Sequence, residues 1–511
     1  MKKIWTIIPV LMLVALIGTA CHDEEETNGN GNNSTNVGDD EDLVENQTWN
    51  TAIDIIWNGT DVTVSGSADG VTISTNNGYV AIQSTAKHVI YNLSGSGTGQ
   101  LSVYSDYKYQ LALQGLTLTC SDGPAINCQS HKRCYLVIAG TNSLTDGATY
   151  ATTTEDRKAT IFCEDKLCIS GNGSLSVTGN YKHSIASDDY IRLCPNTTAT
   201  LTLTANASDG LHANDGIIIN DGQITITAKQ EGIQCDTSSI VISGGKLSVT
   251  SQEDKGILAY GNIEISGGDI FVTSPAKCIK TKSNLIVDGG TIKVICTGEA
   301  QSGGGPGGGG PGGGGRPGDN TESSGNAPEG IEAKGTITIN NGQVYSQAAD
   351  DAINSGSTFS VNGGLVCAYS TNNDGLDANG NCIINGGVVY AIGSRNPEVG
   401  IDANTEERFY LTVNGGTIVA IGGLERNSKL NQTCYYTSSW STSTWYALTV
   451  GDNTFAFKTP ASGGTKMVVS GAQKPTLKKS VTASGTTIFN GMGFYPATCS
   501  GGSEVSLSQG S

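Results

Sequence analysis

The segment NNDGLDANG, residues 372–380, sets Asp374 and Asp377 around a glycine, and close variants of it recur along the chain. They read SDGLHAND (208–215), QEGIQCD (230–236), PEGIEAKG (328–335), DDAINSG (350–356) and VGIDAN (399–404). The glycine slot runs Gly210, Gly232, Gly256, Cys278, Gly330, Ala352, Gly375, Gly400. The residue before it runs Asp209, Glu231, Lys255, Lys277, Glu329, Asp351, Asp374, Val399, with Asp254 and Asp350 beside that series. The residue two after it runs His212, Gln234, Leu258, Lys280, Glu332, Asn354, Asp377, Asp402. Carboxylates repeated this way offer hard oxygen donors, the chemistry of a divalent cation. Asp-Gly is also an ordinary turn pair, and surface carboxylates can simply be solvated.

The elements that would position these residues follow from the period. Apart from the one long gap between Cys278 and Gly330, the steps are 22 to 25 residues. Each unit, such as EGIQCDTSSIVISGGKLSVTS (231–251), holds a short strand, a turn, an alternating strand, a Gly-Gly turn and a third strand. Three short strands cannot bury their own apolar side, but stacked units can. The expected fold is therefore all-β, a parallel β-helix with one unit per coil and coils about 4.8 Å apart. An inward ladder runs Ile185, Leu211, Ile233, Ile257, Ile279, Ile331, Ile353, Leu376, Ile401, and two residues on lie small side chains from Ser187 to Ala403. Ile126 with Cys128 and Ile161 with Cys163 fit the same slots in earlier coils.

Alternation with that ladder turns the second series outward, so the coils of 329–402 carry two adjacent acidic columns, Glu329, Asp351 and Asp374 at the turn and Glu332, Asp377 and Asp402 on the strand. Stacked at about 4.8 Å, like charges repel by roughly 1 kcal/mol in water and roughly 3.5 kcal/mol at an effective dielectric of 20. A calcium ion with oxygen ligands at about 2.3–2.6 Å spans one coil step and reverses the sign. Calcium is expected between Asp350, Asp351, Asp374, Asp377 and Asp402, with Glu329 and Glu332 continuing the columns. Asp209, Glu231 and Asp254 form a second candidate.

The remaining segments divide the chain. Lys2 and Lys3, a short apolar run and the small residues before Cys21 read as a lipoprotein signal peptide over 1–20, with Cys21 lipidated. Residues 21–45 read as a disordered acidic tether, and HDEEE directly after the cysteine resembles the export signal of Bacteroides-type bacteria, which implies the outer face of the outer membrane. Residues 46–110 are expected to lead into and cap the coils, 111–425 to form the β-helix with a glycine–proline loop at 299–327, and 430–511 to form a small β cap. With 70 glycines, 15% charged residues and a net charge of −18, nucleic acid is excluded as a partner. A monomer is expected. Of 14 cysteines, Cys128, Cys163 and Cys235 fall in the small inward slot and read as buried apolar residues, while Cys434 and Cys499 could pair. Five histidines show no ligand-like spacing, so no zinc site is expected.

The stretches YQLALQGLTLTCSDGPAINCQS (109–130), GTNSLTDG (140–147), GNGSLSVTGNYKHSIASDDYIRL (171–193), DGLHAND and DGLDANG, with the glycine–proline loop, resemble one family. It is the carbohydrate-binding, lyase-like parallel β-helix proteins of cellulose-degrading clostridia; the signal segment resembles Bacteroides-type surface lipoproteins. The family resemblance implies a right-handed β-helix, calcium and non-catalytic binding of cellulose or acidic plant sugars. Lys182–His183–Ser184 and Lys277–Cys278 depart from the family's Asp-Gly.

Three functions stand open. A surface glycan-binding protein would use calcium toward uronates, or aromatic stacking toward a neutral glucan, for which Trp440, Trp445, Tyr435, Tyr436 and Tyr446 are candidates; a hydrophobic cap core is the alternative role for all five. A calcium-dependent polysaccharide lyase would need a basic residue as well, from Lys277, Lys280, Lys282 or Arg395, and a hydrolase a pair of carboxylates. An adhesin or stalk would present the same long face to a protein. Lys280 is also a candidate ligand contact. No catalytic residue is assigned.

Overall fold

The structure is a computed structural model that describes residues 39–299 and 327–511. The signal segment with Cys21, the polar run through residue 38 and most of the glycine–proline stretch lie outside the described residues. The chain folds as a parallel β-solenoid of about 12 turns. One coil shows the plan: Leu211–Ala213, Gly216–Ile219 and Gln223–Ala228 stack on Ile233–Cys235, Ile240–Ile242 and Lys246–Ser251 of the next. The partners are in register, Leu211 with Ile233, Ile217 with Ile240, and Ile224 with Leu247. Alternation drives this arrangement. In Gln223–Ala228 the isoleucines face in and the threonines face out, a pattern that suits β-branched residues on a pleated surface.

The inward ladder is present as expected. From Ile126 through Ile401 its members are buried, and each pairs in parallel with the equivalent residue one coil away. The glycine beside each acidic residue has a packing reason. A Cβ on Gly232 or Gly256 would lie 2.1 Å from a methyl of Val249 or Val272 in the opposite wall. The second glycine of each Gly-Gly turn serves differently: Gly364 has φ +76°, and a Cβ there would meet Gly342 O at 2.6 Å. Outside those turns an amide ladder climbs the stack. Asn362, Asn385, Asn414 and Asn431 each donate to the asparagine below at 2.7 Å, beginning at Asn340.

The N-terminal end differs in detail from the expectation, and the C-terminal end forms the small β unit expected there. Parallel stacking already begins inside 46–110, where Thr51–Gly59 pairs with Val89–Thr98 and Tyr79–Ser84 pairs with Leu101–Ser105. Two antiparallel hairpins close that first coil. The acidic run expected to stay a tether through residue 45 is folded from Asp39 onward. Asp42, fully buried, takes Arg133 at 3.1 Å and Arg192 at 2.9 Å, and Leu43, Val44 and Trp49 pack beside Tyr135. At the other end, Trp445–Val450, Asn453–Lys458, Thr476–Ile488 and Gly493–Glu504 close a four-stranded barrel. Its Phe455 and Phe457 pack on Tyr390 of the solenoid, which explains the aromatic C-terminal composition. All thirteen described cysteines are free thiols, so the pairing considered for Cys434 and Cys499 is not formed.

Replacing Asp42 by Ala should strip both arginines of their shared buried carboxylate and cost about 3–5 kcal/mol. A melting temperature equal to the parent's would show that residues 39–49 are not held by this pair.

Candidate metal and ligand-binding face

Both acidic columns lie on the sheet of thirteen strands that forms one wall of the solenoid. The register sets Lys277 over Glu329, Lys280 over Glu332, Asn354 over Glu332 and Asp377 over Asn354. The columns are less wet than their outward direction suggests. Asp209, Glu231, Glu329, Asp351 and Asp374 are between 3% and 8% exposed. A buried carboxylate needs a partner, and the structure supplies a different kind at each of three levels.

At the C-terminal level, oxygen atoms of Asp374, Asp377 and Asp402 all lie within 4.8 Å of one another. Asp351 stands in the rung before them, its Oδ1 accepting the Asp374 backbone N–H at 3.0 Å. Asp350 accepts from Asn373 Nδ2 at 2.6 Å. Burial pushes Asp374 up to about 8, with Glu398, Asp377 and Glu425 adding to it. Burial, helped by Asp350, carries Asp377 to about 6. Burial and the Glu425 side chain raise Asp402 to about 9, and burial with Asp377, Asp350 and Asp374 raises Asp351. These carboxylates destabilise one another's charged forms, and their donor atoms are all oxygen. That set fits a hard divalent cation.

Glu398 and Glu425 also act on this cluster, and the sequence reading omitted both. Glu425 had a signal: Leu424 bridges to Ile401 in parallel, so Gly423–Leu424–Glu425 is one more copy of the repeated phrase.

The middle level corrects the expectation for Glu329 and Glu332. Lys277 ion-pairs with both, and Lys280 and Lys334 with Glu332. Lysines stand against these two carboxylates: Lys277, Lys280 and Lys334 hold Glu332 below the usual range despite its burial, whereas burial still pushes Glu329 up to about 7. Lys280 is 3% exposed, so it belongs to this ion-pair cluster and is not a surface contact for a ligand. The N-terminal candidate also comes apart. Lys255 pairs with Glu231 at 3.3 Å and with Asp254 at 2.7 Å, while Asp209 turns to His183 and His212 at 3.1 and 2.9 Å. The histidines, which gave no spacing signal, are thus brought together by the coil register.

The aromatic candidates are mostly committed elsewhere. Trp440 donates its indole N–H to Gly464 O at 2.7 Å and packs at the barrel junction, Trp445 stacks on Phe494 with centroids 5.0 Å apart, and Tyr446 is buried. Tyr435 and Tyr436 are half-buried, each under a lysine. Exposed rings occur instead at Tyr181 and Tyr260 on the solenoid. A depression of about 390 Å³, lined in part by Gln347, Ala348, Ala349, Thr371 and Asn372, sits directly before Asp350 and Asn373 in the chain.

A parallel β-solenoid with columns of buried carboxylates on one wall is the class of protein that these observations define. A family model described as "Carbohydrate-binding domain-containing protein" matches residues 76–375, and the chain belongs to that family. Among solved structures, the polysaccharide lyase-like protein from C. thermocellum, a gadolinium derivative, is similar at 23% identity and a TM-score of 0.36. That match covers 48% of this chain and 92% of the other. No curated protein matches the sequence.

The pH dependence of the metal-free protein tests the C-terminal cluster. A carboxyl whose folded pKa lies above its unfolded value binds its proton more tightly when folded, so its contribution to stability is present at low pH and lost as pH rises. With Asp377, Asp374 and Asp402 at about 6, 8 and 9, the loss should begin near the unfolded carboxyl value, about pH 4, and run to about pH 9. Melting temperatures in chelator should fall across that range and should hold level in calcium. Identical pH profiles with and without calcium would count against the cluster as a cation site.

Proposed function

We propose that the protein is a calcium-binding, non-catalytic polysaccharide-binding protein displayed on the outer membrane, with a pectin-type acidic glycan as its ligand. The observation that carries this reading is the convergence of Asp374, Asp377 and Asp402 within 4.8 Å. Those three side chains would hold calcium, with Asp351 and Asp350 in the adjacent rung. The ion offsets carboxylates that otherwise oppose one another, and coordination positions that these residues leave open can take a uronate carboxylate. In a chain of net charge −18, a bridging cation is the route by which a polyuronate can be held. An acidic glycan is favoured over cellulose because a neutral glucan calls for an open aromatic platform, and Trp440 and Trp445 are engaged at the barrel. Lipidation at Cys21 supplies the anchor, and the solenoid acts as a monomer.

Three experiments test this. Titrating polygalacturonate into the protein with calcium present should give saturating heat that vanishes in chelator. Heat that continues after each injection would mean turnover and replace binding with lyase action; no heat at all would remove acidic glycans as ligands. Asp374→Asn combined with Asp377→Asn should lower calcium affinity by roughly tenfold or more and remove the calcium-dependent rise in melting temperature. An undiminished rise would sink the site. For the anchor, Cys21→Ser should move the protein from the membrane fraction to the soluble fraction, and retention in the membrane would refute lipidation there.

A further inference from the structure

At the N-terminal end of the acidic wall, the template of stacked carboxylates carries different donors. His183 occupies the position that Asp209 holds one coil later, and His212 occupies the position in its coil that Asp377 holds in its own. The side chains of His183, Asp209 and His212 are 2%, 4% and 8% exposed. One carboxylate oxygen, Asp209 Oδ2, faces both imidazoles, at 3.1 Å from His183 Nδ1 and 2.9 Å from His212 Nδ1. One donor atom from each of the three residues lies within 4.8 Å of the others.

The surroundings hold these groups in place. The other oxygen of Asp209 accepts from Ser208 Oγ at 3.1 Å and from the Glu231 backbone N–H at 3.3 Å, which aims Oδ2 at the histidines. His212 Nε2 lies 3.3 Å from Asp236 Oδ2. A carboxylate on the far nitrogen fixes a ring's tautomer and orientation, the usual second layer around a metal-bound histidine. His183 Nε2 is buried with no hydrogen-bond partner. His183 Nδ1 also lies 3.4 Å from the Asp209 backbone N–H, from which it can accept, so its lone pair already points into the cluster.

We propose that His183, Asp209 and His212 bind a borderline transition-metal dication of the zinc class, through the two Nδ1 atoms and Asp209 Oδ2. Nitrogen and oxygen donors at about 2.0–2.2 Å around tetrahedral zinc stand roughly 3.3 Å apart, close to the two separations seen. The rings lie face to face with centroids 4.1 Å apart, so loading turns each ring about its Cβ–Cγ bond to aim its lone pair. The ion displaces the inward proton of His212 and reaches the site from the Asp236 side, where that carboxylate is 37% exposed. Imidazole donors select this class of metal against calcium, which takes oxygen. One wall of the solenoid thus holds two cation sites of different selectivity, and neither depends on the other.

The test is a titration of zinc chloride into the full chain after treatment with chelator, followed by cobalt chloride as a spectroscopic probe. One equivalent of zinc should bind in the presence of excess calcium and release protons, and cobalt should give visible bands of a low-coordinate nitrogen site. His183→Gln with His212→Gln should abolish that equivalent. Asp236→Asn, which keeps all three ligands, should weaken it by about 10–100-fold. Both variants should keep the calcium response of the C-terminal cluster, which shows that they fold. Failure of wild-type protein to bind zinc, displacement of zinc by equal calcium, or unchanged zinc affinity in either variant would overturn the proposal.

Discussion

Hydrogen bonding between successive coils is the constraint on which everything else in this molecule depends. It forces any residue repeated at the coil period to within one strand spacing of its copies, about 4.8 Å. Apolar repeats become a continuous core on the inside. Polar repeats on the outside become ladders, and whether a ladder is favourable depends on its chemistry. Asparagine amides can each donate and accept, so the run from Asn340 to Asn431 satisfies itself. Ionised carboxylates can only accept, so an acidic ladder must import its positive charge.

The acidic wall meets that demand in three ways along its length. Lysines at 255, 277, 280 and 334 enter the columns in the middle and close ion pairs with Glu231, Glu329 and Glu332. Histidines enter at the N-terminal end and share Asp209. At the C-terminal end no such residue enters the repeated phrase, and Asp351, Asp374, Asp377 and Asp402 are left to raise one another's pKa. The same backbone geometry therefore gives three electrostatic environments, set by a handful of substitutions in two columns.

The two ends of the solenoid solve another problem. A stack of coils exposes unpaired strand edges and an open core at its termini. The hairpins around residues 51–84 cover one end, and Leu424, Cys434 and Val468 finish the core at the other, while the barrel packs through Phe455 and Phe457 on Tyr390 and the outer face of several coils. Aromatic residues in the barrel strands therefore serve that packing first, which is why most of them are unavailable to a sugar.

Sequence alone determined the period, the inward ladder from Ile185 to Ile401 and the two columns, because a parallel solenoid translates sequence spacing directly into spatial neighbours. Glu425 was readable by the same rule, since Gly423–Leu424–Glu425 repeats the phrase. What the tertiary structure decided were contacts that depend on side-chain reach and burial. Long lysine side chains swing across rungs to Glu329 and Glu332, so the same acidic slot is an ion pair in one coil and a cation-seeking cluster in another. His183 and His212 lie 29 residues apart by number, with no motif between them, and meet only because one coil stacks on the next. Asp42 looked like part of a polar tether, and only the folded positions of Arg133 and Arg192 give that carboxylate a buried seat. Spacing reports which backbone positions are neighbours; charge neutralisation is settled by which side chains can reach.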